Sequence, residues 1–483
     1  MDLLTRLRAL EAISRTLDPP RAEREALLGA AAEYGNAFVD QIENLPVYVS
    51  NQGTGEGLYD SPIGDTPVPI AELLALIKTN VDTPGINPAS GGHLGYIPGG
   101  GITQSAVADY LAAITNRYAG VFFASPGAVR MENMLLDWMA GMVGYPAGTV
   151  GNLTSGGSIA NLIGIVTARD ARGVTARDIP RAVVYATTHA HHSLDKALRI
   201  AGLRECPLRH VPMDARYRMD ADALHAMVAA DQKAGLRPWL VIASAGTTDV
   251  GAIDPLSAIA DVAQRHGLWF HCDGAYGAFF ALLPDIRARL SGMERSDSII
   301  MDPHKGLFLP YGSGAVLIKD KQAMVDAHYY VANYMQDTLH ARDEASPADL
   351  SPELTKHFRG LRLWLPLKLL GVAPFRAALE EKLLLAQYFH DAIQQIPGFE
   401  VGPTPDLSVV TFRYVPTRGD ADAFNAQLVQ AIHNDGRVFL SSSQIDGRFT
   451  IRLAVLAFRT HLAQVDLTLD MLRDHVARLE GRT

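Results

Sequence analysis

Between residues 105 and 320, short apolar runs recur between longer amphipathic ones. The runs are AVVYA (182–186), WLVIASA (239–245), LWFHC (268–272), SIIM (298–301) and GAVLIK (314–319). Segments with helical periodicity, such as PLSAIADVAQRHG (255–267), separate most of them. Short buried strands alternating with helices predict an α/β unit, its sheet mainly parallel and covered on both faces. The flanks read differently. Leu3, Leu4, Leu7 and Leu10 recur at helical spacing among charges, so residues 1–45 read as helix. Residues 51–69, rich in Gly, Pro and Asp, read as a linker. After a short helix, residues 87–101 contain GGHLGYIPGGG, too glycine-dense for a helix interior. Beyond Pro352 a helix-rich stretch (353–396) leads to strands near VVTFRYV (409–415) and FTIRLAVL (449–456). The expected division is an N-terminal helical segment (1–85), a large α/β domain (86–352) and a small α+β domain (353–483).

Composition adds exclusions. The 483 residues are 48% hydrophobic and 20% charged, an ordinary globular balance with enough apolar side chains for a large core. A formal net charge of -9 gives no electrostatic reason to bind nucleic acid or an anionic membrane. The N-terminus is interrupted by charges and has no signal-peptide core, and no apolar run is long enough to span a bilayer. Cys206 and Cys272 lie far apart and form neither a disulfide framework nor a metal cluster. The expectation is a soluble cytoplasmic protein.

Candidate chemistry gathers where strands end. SIIMDPHKGLFLP (298–310) puts Lys305 just past a buried strand, where α/β proteins place ligands. A lone lysine is more often a surface residue, so its context decides. LWFHCDGAYGAFF (268–280) puts Asp273 at the end of another strand. A carboxylate there needs a cationic partner, and a protonated pyridine nitrogen would serve. TSGGS (154–158) opens an apolar helix, offering close backbone approach and free N–H groups to a phosphate, without the spacing of a Walker or dinucleotide loop. ATTHAHHSLDKALRIAG (186–202) carries His189, His191 and His192. A metal reading finds no partner motif such as HExxH, and a histidine stacked on an aromatic cofactor is the alternative. SAGTTDVGAID (244–254) places Thr247 or Thr248 within reach of a ring substituent.

Taken in this order, from about Gly91 to about Thr460, these motifs resemble the pyridoxal-dependent decarboxylases of the aromatic amino acid and glutamate decarboxylase group. That family shares the fold of the aspartate aminotransferases. The resemblance implies an aspartate-aminotransferase-like α/β fold, pyridoxal 5'-phosphate as cofactor and a homodimer. It implies that Lys305 in DPHK forms the Schiff base beside His304, and that Asp273 in HCDGAY pairs with the pyridine nitrogen. It also implies that His191 stacks on the ring, that Gly157 and Ser158 cradle the phosphate, and that Thr248 lies beside the cofactor. HFRGLRLWLPLKLLG (357–371) and RLAVLAFRT (452–460) resemble the family's boundary helix and C-terminal strand. Residues 326–351 match its catalytic loop, with Tyr334 as general acid and Tyr329 and Tyr330 as rivals.

The implied activity is decarboxylation of an L-amino acid. Tyr96, Ile97 and Pro98, with Phe122 and Phe123, are candidates for the substrate pocket. An aromatic substrate is preferred because GYIPGG has no arginine cluster, although folding can bring Arg117 or Arg130 close. The alternatives are glutamate or diaminobutyrate decarboxylation, aldehyde synthesis, transamination with Arg452 holding an α-carboxylate, and a cofactor-binding protein without catalysis. Three positions depart from the family pattern. Ser90-Gly91 stands where His-Pro is frequent, DGAY replaces DAAY, and Gly306 replaces a frequent Trp.

Overall fold

The computed structural model describes residues 2–50, 53–329 and 344–481. Two short strands, β1 (Tyr48–Val49) and β2 (Gly85–Ile86), pair antiparallel. A seven-stranded sheet follows, built from β3 (Val150–Thr154), β4 (Ala182–Ala186), β5 (Leu208–His210), β6 (Arg237–Ser244), β7 (Trp269–Asp273), β8 (Ser298–Met301) and β9 (Gly314–Ile318). Its order is β3-β9-β8-β7-β6-β4-β5. Strands β4 to β8 run parallel, and β9 is antiparallel to both β8 and β3. The five apolar runs of the sequence are therefore β4 and β6–β9, and the sheet is mainly parallel as expected.

Burial explains why those runs read so clearly. Every residue of β4, β7, β8 and β9 is buried. Val183, Tyr185, Ile299 and Met301 enter one apolar layer, while Val184, Ala186 and Ile300 enter the layer on the other face. Alternate side chains of a strand point to opposite faces, so a sheet covered on both sides needs continuous apolarity. The helix Leu256–His266 ends at Gly267, whose φ of 68° is the left-handed conformation glycine adopts without a Cβ penalty.

A second sheet is wholly antiparallel, with β10 (Phe399–Val401), β11 (Val409–Tyr414), β12 (Ser441–Ile445) and β13 (Arg448–Ala454) in the order β10-β11-β13-β12. Helices Ala373–Ile393, Ala421–Asp435 and Leu462–Leu479 bury Phe389, Leu428 and Leu472 against Phe412 of this sheet. Strands β3, β5, β10 and β12 escaped the sequence reading. β3 looks like part of a glycine-rich loop because Gly151 and Asn152 interrupt it, and β12 opens with three serines.

Helices do occupy the N-terminal region, at Leu3–Ser14 and Arg21–Gln41, yet neither buries a single side chain in one chain. No helix among the described residues is long and apolar enough to cross a membrane.

Candidate active site

Strands β6, β7 and β8 end side by side, and the loops that leave them line a cavity of about 250 Å³. Lys305 sits in a short helical turn, Pro303–Gly306, directly after β8. Its Nζ lies 3.0 Å from Asp302 Oδ2 at the cavity wall. Asp302 is 1% exposed, and its Oδ1 has no hydrogen-bond partner among the described residues. His304 Nδ1 accepts the Ser313 N–H at 3.2 Å. Burial foremost pushes the His304 imidazole below its ordinary pKa, so it is neutral at neutral pH.

Asp273 ends β7 and is 7% exposed. Its Oδ1 accepts the Ala275 N–H at 3.1 Å, and its Oδ2 accepts an N–H of the Asn161 amide at 3.2 Å. A carboxylate has about four lone-pair sites, so acceptor capacity remains. His191 lines the same cavity, with Nδ1 2.7 Å from Ser193 Oγ. Its pKa is lowered, chiefly by burial, with nearby Asp273 acting in the opposite direction.

Gly157 and Ser158 are the first residues of helix Gly157–Ala171 and border the cavity. A helix N-terminus presents unpaired N–H groups and a partial positive charge. A Cβ built on Gly157 would come within 2.9 Å of Asp302 Oδ2, so the cradle closes only around glycine. Thr248 also borders the cavity, and its carbonyl accepts a hydrogen bond from Arg452. The structure thus brings together Lys305, His304, Asp273, His191, Gly157, Ser158 and Thr248. An amine, a carboxylate and a donor-rich cradle around one small cavity fit pyridoxal 5'-phosphate.

Other expected residues lie elsewhere. Tyr96, Ile97 and Pro98 do not line this cavity in a single chain. Ile97 is buried in the main core, and Tyr96, at a φ of 56°, is turned toward Phe439 with its ring centroid 5.7 Å away. The segment still touches the site through its backbone, since a Cβ at Gly99 would collide with the His304 carbonyl at 2.1 Å. Phe122 is buried beneath Arg130, and Arg130 is itself paired with Glu344 at 2.8 Å. Arg452 does not fill the role of carboxylate binder. It is 3% exposed, and its donors go to the carbonyls of Asp249 and Thr248 and to Ser441 Oγ. Tyr330 and Tyr334 lie outside the described residues, while Tyr329 follows helix Lys321–His328 away from the cavity. His189 stacks on Tyr217 at 5.3 Å, and no group of three or more metal-ligating side chains occurs among the described residues.

The three departures have local causes. A Cβ on Gly274 of DGAY would meet Ala278 Cβ at 2.7 Å, and one on Gly306 would meet Phe279 Cβ at 2.7 Å. At Gly91 it would strike the Arg459 carbonyl at 2.3 Å.

Reasoning from the sequence missed the buried supports. Lys356 Nζ and Glu132 Oε2 are 2.8 Å apart and fully buried. Lys356 also donates to Asn152 Oδ1 and the Leu153 carbonyl, which anchors the end of β3 just before the cradle. Asn161 and Ser193 were likewise unassigned; Asn161 is a polar residue inside an apolar helical run, a signal for buried hydrogen bonding, while Ser193 opens a helix after the histidine cluster and carries no such signal.

A lysine-bearing cavity at the carboxyl ends of a mainly parallel sheet, beside a small antiparallel sheet, defines a pyridoxal-phosphate enzyme of the decarboxylase fold. The Oryza sativa TDC solved with PLP and tryptamine superposes with a TM-score of 0.90, at 26% identity, over 96% of this chain and 99% of that one. Residues 65–415 match the family model for the pyridoxal-dependent decarboxylase conserved domain, and the chain belongs to this family. The aromatic-L-amino-acid decarboxylase of Bacillus atrophaeus is 33% identical over 414 residues, covering 84% of this chain and 86% of the relative. A phenylacetaldehyde synthase of Arabidopsis thaliana is 28% identical, covering 88% and 91%. The protein is a pyridoxal-phosphate-dependent amino-acid decarboxylase.

Proposed function

We propose that the protein decarboxylates aromatic L-amino acids to amines, with Lys305, Asp273, His191 and Tyr334 as its catalytic residues. The observation that carries this reading is the cavity itself. Lys305 and Asp273 border one space with the Gly157–Ser158 cradle, and no arginine lines it among the described residues. A substrate with a second carboxylate would lack a cationic partner there, whereas an aromatic side chain needs none. The similarity to an aromatic-L-amino-acid decarboxylase supports the same preference.

When bound, pyridoxal phosphate supplies an electron sink for the bond broken at the substrate α-carbon. Lys305 would anchor the cofactor covalently; Asp302 holds its Nζ at the cavity wall. Gly157 and Ser158 would offer their N–H groups to the phosphate, with Thr248 beside the cofactor and His304 next to Lys305. Asp273 would keep the ring nitrogen protonated. His191, held neutral by burial, adds no cation to compete for that carboxylate. Tyr334 returns a proton to the α-carbon after carbon dioxide leaves.

The proposal includes a homodimer in the cytoplasm and a division of the chain near residues 85 and 352. The exposed apolar faces of the N-terminal helices support a second copy of the chain as their cover.

Product analysis under air, on L-tryptophan, L-tyrosine and L-phenylalanine, tests the chemistry. The expected result is equimolar carbon dioxide and amine. Tyr334→Phe should lower amine and raise aldehyde, ammonia and peroxide, because an α-carbon that waits for its proton is open to oxygen. Keto acid without carbon dioxide would reject decarboxylation, and aldehyde as the wild-type product would favour the chemistry named for the Arabidopsis relative. An unchanged amine yield and rate in Tyr334→Phe would remove that residue from the mechanism.

A further inference from the structure

Behind Asp273 runs a chain of buried polar side chains whose hydrogens can be assigned one by one. Asn161, in the helix that forms the cradle, is 1% exposed. Its Nδ2 lies 3.2 Å from Asp273 Oδ2 and 3.0 Å from Ser193 Oγ, and its Oδ1 lies 2.8 Å from His271 Nε2. An ionised carboxylate can only accept, so the amide nitrogen must face Asp273 and the amide oxygen must face His271. His271 therefore carries its proton on Nε2. Burial lowers its pKa to about 4, so the ring is neutral at neutral pH and Nδ1 is an acceptor. Ser298 Oγ, 2.8 Å away, donates to that Nδ1 and accepts the Trp269 indole N–H at 2.8 Å. Every bond from Trp269 through Ser298, His271 and Asn161 points the same way, toward Asp273. Aligned donors of this kind polarise one another.

The second amide hydrogen of Asn161 leads to the other side of the cavity. Ser193 Oγ accepts it and gives its own hydrogen to His191 Nδ1 at 2.7 Å. The Ser193 backbone N–H also points at that nitrogen, at 3.2 Å. Neutral His191 must then hold its proton on Nε2. Packing fixes the hub: a Cβ on Gly164, one helical turn along, would come within 2.8 Å of His271 Cε1, so the helix reaches the ring only because that residue is glycine.

We infer that Asn161 is a positioning residue that sets the proton inventory of the site, fixing His191 as the Nε2–H tautomer and delivering a polarised donor to Asp273. The inference rests on the reading of Asp273 and His191 given above. One amide thus couples the group proposed for the ring nitrogen to the group proposed for the ring face. The remaining acceptor capacity of Asp273 stays available for the cofactor.

The test is two-bond 1H–15N spectroscopy of the cofactor-loaded protein with 15N-labelled histidine, His191 and His271 being assigned by single substitution to Gln. Both rings should appear as pure Nε2–H tautomers at neutral pH. An Nδ1–H form or a mixture at either ring in the wild type overturns the inference without any further variant. Ser193→Ala, which removes the hydroxyl and leaves only the longer backbone N–H contact on Nδ1, should admit a detectable Nδ1–H fraction at His191 and leave His271 unchanged. Asn161→Leu frees the Ser193 hydroxyl to rotate and accept from His191, so it should admit the same Nδ1–H fraction, and it should lower kcat by about tenfold or more, with KM within about twofold. A pure Nε2–H His191 in either variant, or an undiminished kcat in a folded Asn161→Leu, counts against the hub. If the wild type releases no carbon dioxide from any amino acid, the functional reading fails, and the tautomers alone then decide the inference.

Discussion

The floor of the cavity and the N-terminal helices are opposites. Asp273, Asn161, His271, Ser298 and Trp269 are buried within one chain and linked by hydrogen bonds of 2.8–3.2 Å. Helices Leu3–Ser14 and Arg21–Gln41 bury nothing, and Leu3, Leu4, Leu7, Leu10, Ile13 and Leu17 are each more than half exposed. The first region is finished: its geometry is dictated by neighbours supplied by the same chain. The second has an amphipathic pattern whose apolar side lacks a counterpart, and a second copy is the proposed one. Damage to the floor should therefore act on chemistry and stability, while damage to the helices should act on assembly.

The largest effect is expected at Asp273. Asp273→Ala removes the proposed partner of the ring nitrogen, and kcat should fall about a thousandfold or more (~4 kcal/mol) with the sedimentation coefficient unchanged. A loss of only about tenfold (~1.4 kcal/mol) would deny Asp273 that role. Next is Lys356→Met, which strands Glu132 as an uncompensated buried charge beneath β3. It should cost about 3 kcal/mol of stability and weaken cofactor binding, since β3 leads into the cradle. Thermal melting that matches wild type would show the pair to be dispensable. The smallest effect on the folded unit is expected from Leu7→Glu with Leu10→Glu. Charges on the exposed face should shift sedimentation toward monomer and leave the melting of the separated chain close to that of the rest of the fold. A dimer as tight as wild type would place its interface away from these helices.

How much of this was legible in the sequence follows the same divide. Strands buried on both faces must be apolar throughout, so AVVYA and SIIM announce themselves, and β4 and β8 match them residue for residue. Strand β3 was not legible. Its Asn152 is buried, with its Oδ1 accepting from Lys356, a partner more than two hundred positions away that no local pattern reveals. Lys305 and Asp273 were legible because their residue types stand at strand ends in dense motifs. Asn161 was not, since a single amide in NLIGIV looks like a tolerated polar residue until the fold sets His271 and Asp273 beside it. Tyr96, Ile97 and Pro98 were named for the substrate pocket from the position of GYIPGG in the resemblance and from their apolar and aromatic character, and in a single chain they do not line the cavity. The backbone of the same segment does approach the site, at Gly99 against the His304 carbonyl. Arg452 looked like a carboxylate binder, but three acceptors within the chain already hold its guanidinium.

The central claim is that the cofactor is carried by Lys305. Borohydride reduction of the loaded protein, followed by proteolysis and mass mapping, tests it directly. The account predicts a pyridoxyl-phosphate adduct on the peptide containing DPHK, at Lys305, and none on that peptide in Lys305→Ala. An adduct at another lysine, or reduction that leaves Lys305 unmodified while the cofactor stays bound, would contradict it.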